Sequence, residues 1–305
     1  MALPLNCPLC KKGNEYQFVV SKHVYGSPED KKSSFFKCES CEIIYQYPGL
    51  TEEEENRFYA DEFESFMSSR SGKSGGWEKI EKHIKANEDN KQRRIKYLEP
   101  FLKRNLKILE VGCSSGFMLH PLIEKGLNCT GIEPSGVFRK NLINSGIKVF
   151  DTYDNLIKEN PNSKFDLIIH FFVLEHIRDP LSFLSKQINL LNKGGKLIFE
   201  IPNYADPLYS IYDIPQFERF YWSVAHPWYF NEKSLKFLLE KLDINFEIIR
   251  DQRYDLSNHI VWARDGKPGG MKKFSPKFGQ VMEDSYKNQL IKSGYCDTLI
   301  GIIKV

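Results

Sequence analysis

Four of the seven cysteines fall into two C-x-x-C pairs, Cys7 with Cys10 and Cys38 with Cys41. Two thiolates separated by two residues can fold back around one ion, and two such knuckles complete a tetrahedral zinc site. With sulfur at every position, that site is structural and leaves no place for catalysis. A second constellation is Glu110-Val-Gly112-Cys113-Ser-Ser-Gly116, where an apolar run breaks into small residues. A strand feeding a glycine turn is a nucleotide-holding pattern, but a dinucleotide fingerprint would place glycine where this chain has Ser114. Glu133, in GIEPS, closes the next apolar run and can accept hydrogen bonds from ribose hydroxyls. A third constellation is His226 within FYWSVAHPWYF, an imidazole among aromatic rings, with Tyr221 just upstream.

Each of these groups needs elements to position it. The runs YQFVVSKHVY and SFFKCESCEIIYQYP read as two hairpins around the cysteines, and a zinc-ribbon domain is expected over 1–48. A helical linker or lid is expected over 49–104. Thr51 ahead of four glutamates is a helix start. SSRSGKSGG reads as a loop, and Trp77, Ile80, Ile84, Ile95, Leu98 and Leu102 mark an amphipathic helix ending near Pro100.

From Leu106 onward, apolar runs alternate with amphipathic stretches: LKILEV, NCTGIE, IKVF, FDLIIHFFV and GKLIFEIP. Continuous apolar strands alternating with helices imply an α/β domain with a mostly parallel sheet, covered on both faces, over 105–305. Ligands in such sheets bind at the carboxyl ends of the strands. INFEIIRDQRYDLSN and CDTLIGIIKV read as the last two strands, joined antiparallel. Substrate-side insertions are expected at about 203–232 and 255–294.

The totals exclude several classes. With 43 basic against 40 acidic side chains, the net charge is +3, far from the excess of a dedicated nucleic-acid binder. No apolar run approaches a membrane span, the amino terminus has no signal-peptide pattern, and paired cysteines then read as metal ligands. The expected location is the cytoplasm, with no membrane partner. The sequence is silent on oligomeric state.

The acidic-x-Gly turn after the first strand, with Glu133 ending the second, resembles class I S-adenosylmethionine-dependent methyltransferases. The resemblance implies a Rossmann-like seven-stranded sheet whose last strand is antiparallel. It implies S-adenosyl-L-methionine as methyl donor, approached by Gly112, Cys113 and Gly116, with Glu110 near the methionine amino group and Glu133 on the ribose. Thr152 and Tyr153 fall in the region that meets adenine, and Phe171 at a position lining the methionine arm.

The four cysteines, the segment CEIIYQYPGLTEEEENRFY, the donor domain and His226, Tyr229 and Phe230 in a His-x-x-Tyr-Phe pattern are similar to a narrower group. These are bacterial sugar C-methyltransferases and related enzymes of polysaccharide and antibiotic pathways. That likeness implies structural Zn2+, a small acceptor such as a nucleotide-linked sugar, and His226 as general base. Tyr221 is a candidate second catalytic group. Two alternatives stand beside it. A structural histidine in an aromatic wall would look the same. Small-RNA 2′-O-methyltransferases use Glu-x-x-Glu-His and a later His for a cation, matched here by Glu175, His176 and His226 but with Phe172 at the first glutamate. An RNA methyltransferase with a zinc-bearing RNA-binding domain is the competing function.

Overall fold

The computed structural model describes residues 3–28, 32–71 and 79–305. The first four residues of the expected loop, 68–71, instead end the helix Phe63–Ser71, while its remainder, 72–76, and Trp77 lie outside the described residues. The chain divides into two compact units. One comprises Met1–Leu50, Leu174–Phe183 and Glu200–Gly301, the other Thr51–Val173, Leu184–Phe199 and Ile302–Val305.

The first strands are β1 (Gln17–Ser21), β2 (Ser34–Cys38) and β3 (Ile44–Tyr47), paired antiparallel in that order. The cysteine pairs sit in two matching turns. Lys11 N donates to the Cys7 carbonyl at 2.9 Å, and Glu42 N to the Cys38 carbonyl at 2.8 Å. Lys11 and Glu42, each following a second cysteine, both adopt the left-handed conformation, at φ 65° and 61°. The helix Glu52–Arg57 starts where expected, in a capping box between Thr51 and Glu54.

The expected amphipathic helix is two helices, Ile80–Ala86 and Glu88–Leu98, hinged at Asn87. Its inward face differs from the apolar pattern. His83, Arg94 and Leu98 are buried, while Ile80, Ile84 and Ile95 are only partly covered. Two of the three buried positions are therefore polar, which apolar periodicity cannot reveal.

The parallel strands are β4 (Lys107–Val111), β5 (Asn128–Ile132), β6 (Lys148–Phe150), β7 (Phe165–Phe171) and β8 (Leu191–Pro202). β4 pairs in parallel register with β5 and β7, and β5 with β6. Their central residues, such as Ile108, Leu109, Leu167, Ile168 and Ile169, are almost wholly enclosed, as strands covered on both faces require.

The later strands are β9 (Trp228–Tyr229), β10 (Asn245–Asp251) and β11 (Thr298–Lys304). The seven-stranded sheet runs β10-β11-β8-β7-β4-β5-β6. Gly194 and Gly195, early in β8, exchange backbone hydrogen bonds with Val305 at the far end of β11, so β11 runs antiparallel. β9 joins the small sheet beside β3, pairing Trp228 with Tyr45 and Tyr229 with Ile44. The expected insertions hold the helices Pro207–Ser210 and Pro215–Tyr221, then Leu256–Asp265, Ser275–Phe278 and Gln280–Ser293. Among the described residues, no helix is long and apolar enough to cross a membrane.

Candidate active site

β4 delivers Glu110 and the turn 112–116. Gly112 and Gly116 take left-handed φ values of 68° and 75°. A Cβ on Gly112 would lie 2.7 Å from Val173 Cγ2, so only glycine lets the turn pass there. Ser114, at φ 44°, and Phe172, at φ 57°, are non-glycine residues in the same conformation, held where the surroundings dictate it.

The turn is closed by Glu133. Its Oε2 accepts from the Ser114 amide at 2.6 Å and its Oε1 from the Ser135 amide at 2.8 Å. Burial pushes its carboxyl from 4.5 to about 7, against the pull of those two amides. Ser135, N-cap of the helix Gly136–Asn144, also donates to Glu64.

Glu110 is 2% exposed, and its Oε2 has no hydrogen-bond partner among the described residues. Burial raises its carboxyl well above the ordinary range, with Arg94 pulling down and Glu133 pushing up. A buried carboxylate with unused acceptor capacity beside a glycine cradle suits an ammonium group. S-adenosylmethionine fits these residues: ammonium at Glu110, close backbone approach at Gly112 and Gly116, ribose hydroxyls at Glu133.

Sequence reasoning missed the two residues that brace this turn. His83 Nδ1 lies 2.8 Å from Ser115 Oγ, and burial lowers its imidazole to about 4. The Arg94 guanidinium lies 4.2 Å from the Phe171 ring centre and 5.5 Å from those of Phe117 and Phe172. Their one signal was a polar residue at helical spacing within an otherwise apolar stripe. Phe171 therefore packs under a cation. Cys113 turns its sulfur onto β5, where a Cβ at Gly131 would meet it at 2.6 Å, and its amide reaches the Ile132 carbonyl at 3.2 Å. Thr152 caps the helix Tyr153–Glu159 through the Asn155 amide at 3.2 Å, and Tyr153 carries a buried hydroxyl.

A second cluster lies in the other unit. A short turn, Leu174–His176, presents Glu175 and His176, and the loop before β9 presents His226. Ligand atoms of Glu175, His176 and His226 all lie within 4.8 Å of one another. The two imidazoles meet edge to face, centres 4.6 Å apart. His176 Nδ1 donates to the Ala225 carbonyl at 2.7 Å. Trp228 donates its indole N–H to the Ile177 carbonyl at 2.9 Å, and Tyr229 accepts from the Ser223 amide at 2.9 Å and donates to the Tyr221 carbonyl.

Tyr221, expected as a second catalytic group, lies in an aromatic stack. Its ring is stacked on Phe217 and Tyr209, at 5.0 and 6.1 Å, and its hydroxyl points at the Asn203 carbonyl, 3.5 Å away. Burial raises the phenol well above its ordinary range. It is an aromatic wall that stays protonated, since helix Pro215–Tyr221 turns that face inward. His170, fully enclosed against Phe199 at 5.0 Å, is lowered to about 3 and stays neutral.

The sulfurs of Cys7, Cys10, Cys38 and Cys41 converge within 4.8 Å. Cys7 and Cys41 are 3.7 Å apart, Cys10 and Cys38 3.5 Å. A tetrahedron with Zn–S bonds of about 2.3 Å has S–S edges of roughly 3.8 Å, so the donor set and spacing fit zinc.

A family model described as Methyltransferase domain matches residues 82–250, more than half of the chain. The chain belongs to this methyltransferase-domain family. The match takes in Arg94, Glu110, the glycine turn, Glu133 and His226. Over 107 residues the methyltransferase chain is 34% identical to a ubiquinone biosynthesis O-methyltransferase of Actinobacillus pleuropneumoniae serotype 7, covering 32% of this chain and 46% of that one. Over 111 residues it is 28% identical to the protein of that name from Stutzerimonas stutzeri, covering 34% and 47%. The chain thus spans about half the length of these relatives. A SAM-dependent methyltransferase from Archaeoglobus fulgidus shares the fold, with TM-score 0.51 and 18% identity over 80% of this chain and 100% of the other.

Proposed function

We propose that the protein transfers a methyl group from S-adenosylmethionine to a nucleophilic atom of a small molecule. The carrying observation is the cradle in which Glu110, Gly112, Gly116 and Glu133 surround one turn, with both Glu133 oxygens already setting the loop's shape. The names of the relatives support a small acceptor. So does a net charge of +3, too small for phosphate-backbone affinity.

When bound, the donor supplies a methyl group on a sulfonium that needs no further activation. Glu110 neutralises its ammonium and Glu133 fixes its ribose. His83 and Arg94 keep the turn and Phe171 in place. His226 accepts the proton that the acceptor O–H, N–H or C–H loses as its bond to methyl forms. The Tyr229 ring, 5.5 Å from that of His226, backs the imidazole, and the Tyr221 ring lies 4.8 Å from that of Tyr229. The four cysteines carry a structural Zn2+.

The acceptor class we favour is a nucleotide-linked sugar or a related precursor of a polysaccharide or secondary metabolite, on the His-x-x-Tyr-Phe pattern at His226, Tyr229 and Phe230. Incubation with methyl-labelled donor against nucleotide-sugar, quinol-precursor and RNA pools tests this. Label in the first pool is expected. Label only in RNA overturns a small acceptor, and label only in quinol precursors overturns the sugar.

A further inference from the structure

We propose that Glu175, His176 and His226 form a second metal site, which takes a divalent transition ion such as Zn2+ and silences methyl transfer while occupied. Silencing rests on His226 being the base; binding does not.

One carboxylate and two imidazoles converge within 4.8 Å, close enough for all three to reach one ion. Two histidines and a glutamate are a zinc donor set that leaves a fourth position open. A carbonyl can only accept, so the 2.7 Å contact from His176 Nδ1 to the Ala225 carbonyl puts the proton on Nδ1 and leaves Nε2 with its lone pair. Ligating histidines are oriented in this way, by a hydrogen bond from the other ring nitrogen. The perpendicular rings, 88° apart with centres 4.6 Å apart, present two nitrogens from different directions, as a tetrahedral ion needs and a stacked pair would not.

The frame is preset. Glu175 and His226 are 2% and 9% exposed. The Trp228 indole ties down Ile177 next to His176, and the His226 amide closes a turn onto the Ser223 carbonyl at 3.0 Å. One carboxylate with two imidazoles selects zinc, cobalt or nickel over calcium or magnesium, which demand oxygen donors. An ion here takes up the His226 lone pair, and that nitrogen then cannot accept a proton.

The test uses the full chain stripped of metal and reloaded with Zn2+ or Co2+, then desalted. Wild type should keep two equivalents, one for the cysteines and one for this cluster. With Co2+, the second equivalent should add visible ligand-field absorption without further sulfur charge-transfer intensity. His176→Ala should retain one equivalent. Glu175→Gln, which preserves shape, should hold the second more weakly. Wild type saturating at one equivalent would overturn the site, as would a second equivalent that persists at full strength in both variants and so is only adventitious. Filling the second site should abolish most turnover, and a mild chelator that spares the cysteine-bound ion should restore it. Binding of the second equivalent with turnover unchanged would overturn His226 as base and leave the site standing.

Discussion

The carboxylate of Glu133, at the end of β5, holds the amide of Ser114, in the turn after β4, at 2.6 Å. One side chain thus joins two strand ends and shapes the turn before any ligand arrives. Glu133→Ala should weaken donor binding by roughly 1.5–3 kcal/mol, the cost of losing hydrogen bonds to a charged group. Calorimetry with S-adenosylmethionine measures this, and unchanged affinity would place the ribose elsewhere.

Donor affinity should also depend on pH through this residue. Its carboxyl is raised from 4.5 to about 7, so the folded chain binds a proton in that window that the unfolded chain releases. Stability from this group is therefore present at low pH and declines as pH rises from 4.5 through about 7. Ribose hydroxyls donate to the ionised form, so affinity should rise over the same window and then level. A flat profile in wild type would refute it, and Glu133→Gln should abolish the slope.

Glu110 makes a separate prediction. Burial raises its carboxyl, and an ammonium placed against it should pull it back down and favour the ionised form. Donor binding should then release protons over the pH range in which this carboxyl titrates, seen as a dependence of binding enthalpy on buffer ionisation enthalpy. Glu110→Gln should lose that release.

Gly112→Ala should both destabilise the protein and weaken donor binding. The position has φ 68°, and the new methyl group would sit 2.7 Å from Val173 Cγ2. Strain of this kind costs on the order of 1–3 kcal/mol, readable as a lowered unfolding midpoint.

His226→Asn should leave donor affinity intact and lower turnover by about 10²–10⁴-fold, the usual worth of a positioned base. A variant within about threefold of wild type would show that methyl transfer rests on positioning alone. Cys38→Ser should lose the ion of the cysteine cluster and destabilise β1–β3, checked by metal content and thermal melting.

Local pattern was enough to expose the parallel strands, the glycine turn, the Glu133 position and the cysteine knuckles, because each depends on residue type at short spacing. β4, β5 and β7 fall on the runs KILEV, NCTGI and FDLIIHF. What pattern could not show were relations between distant segments. β9 is only two residues long and is a strand because β3 accepts its backbone, from a part of the chain far away in sequence. His83 and Arg94 are polar residues on the apolar stripe of their helices, and they are buried because Ser115 and the rings of Phe117 and Phe171 supply the partners that make polar burial tolerable. The stacking of Tyr221 on Phe217 was equally beyond local pattern, since it depends on how its helix turns the ring. His176 and His226 become neighbours only through the loop that carries Ala225. Short-range sequence therefore determined the elements and the glycine turn. The tertiary structure decided which side chains meet, because burial and hydrogen bonding are settled by whatever segment arrives at each face.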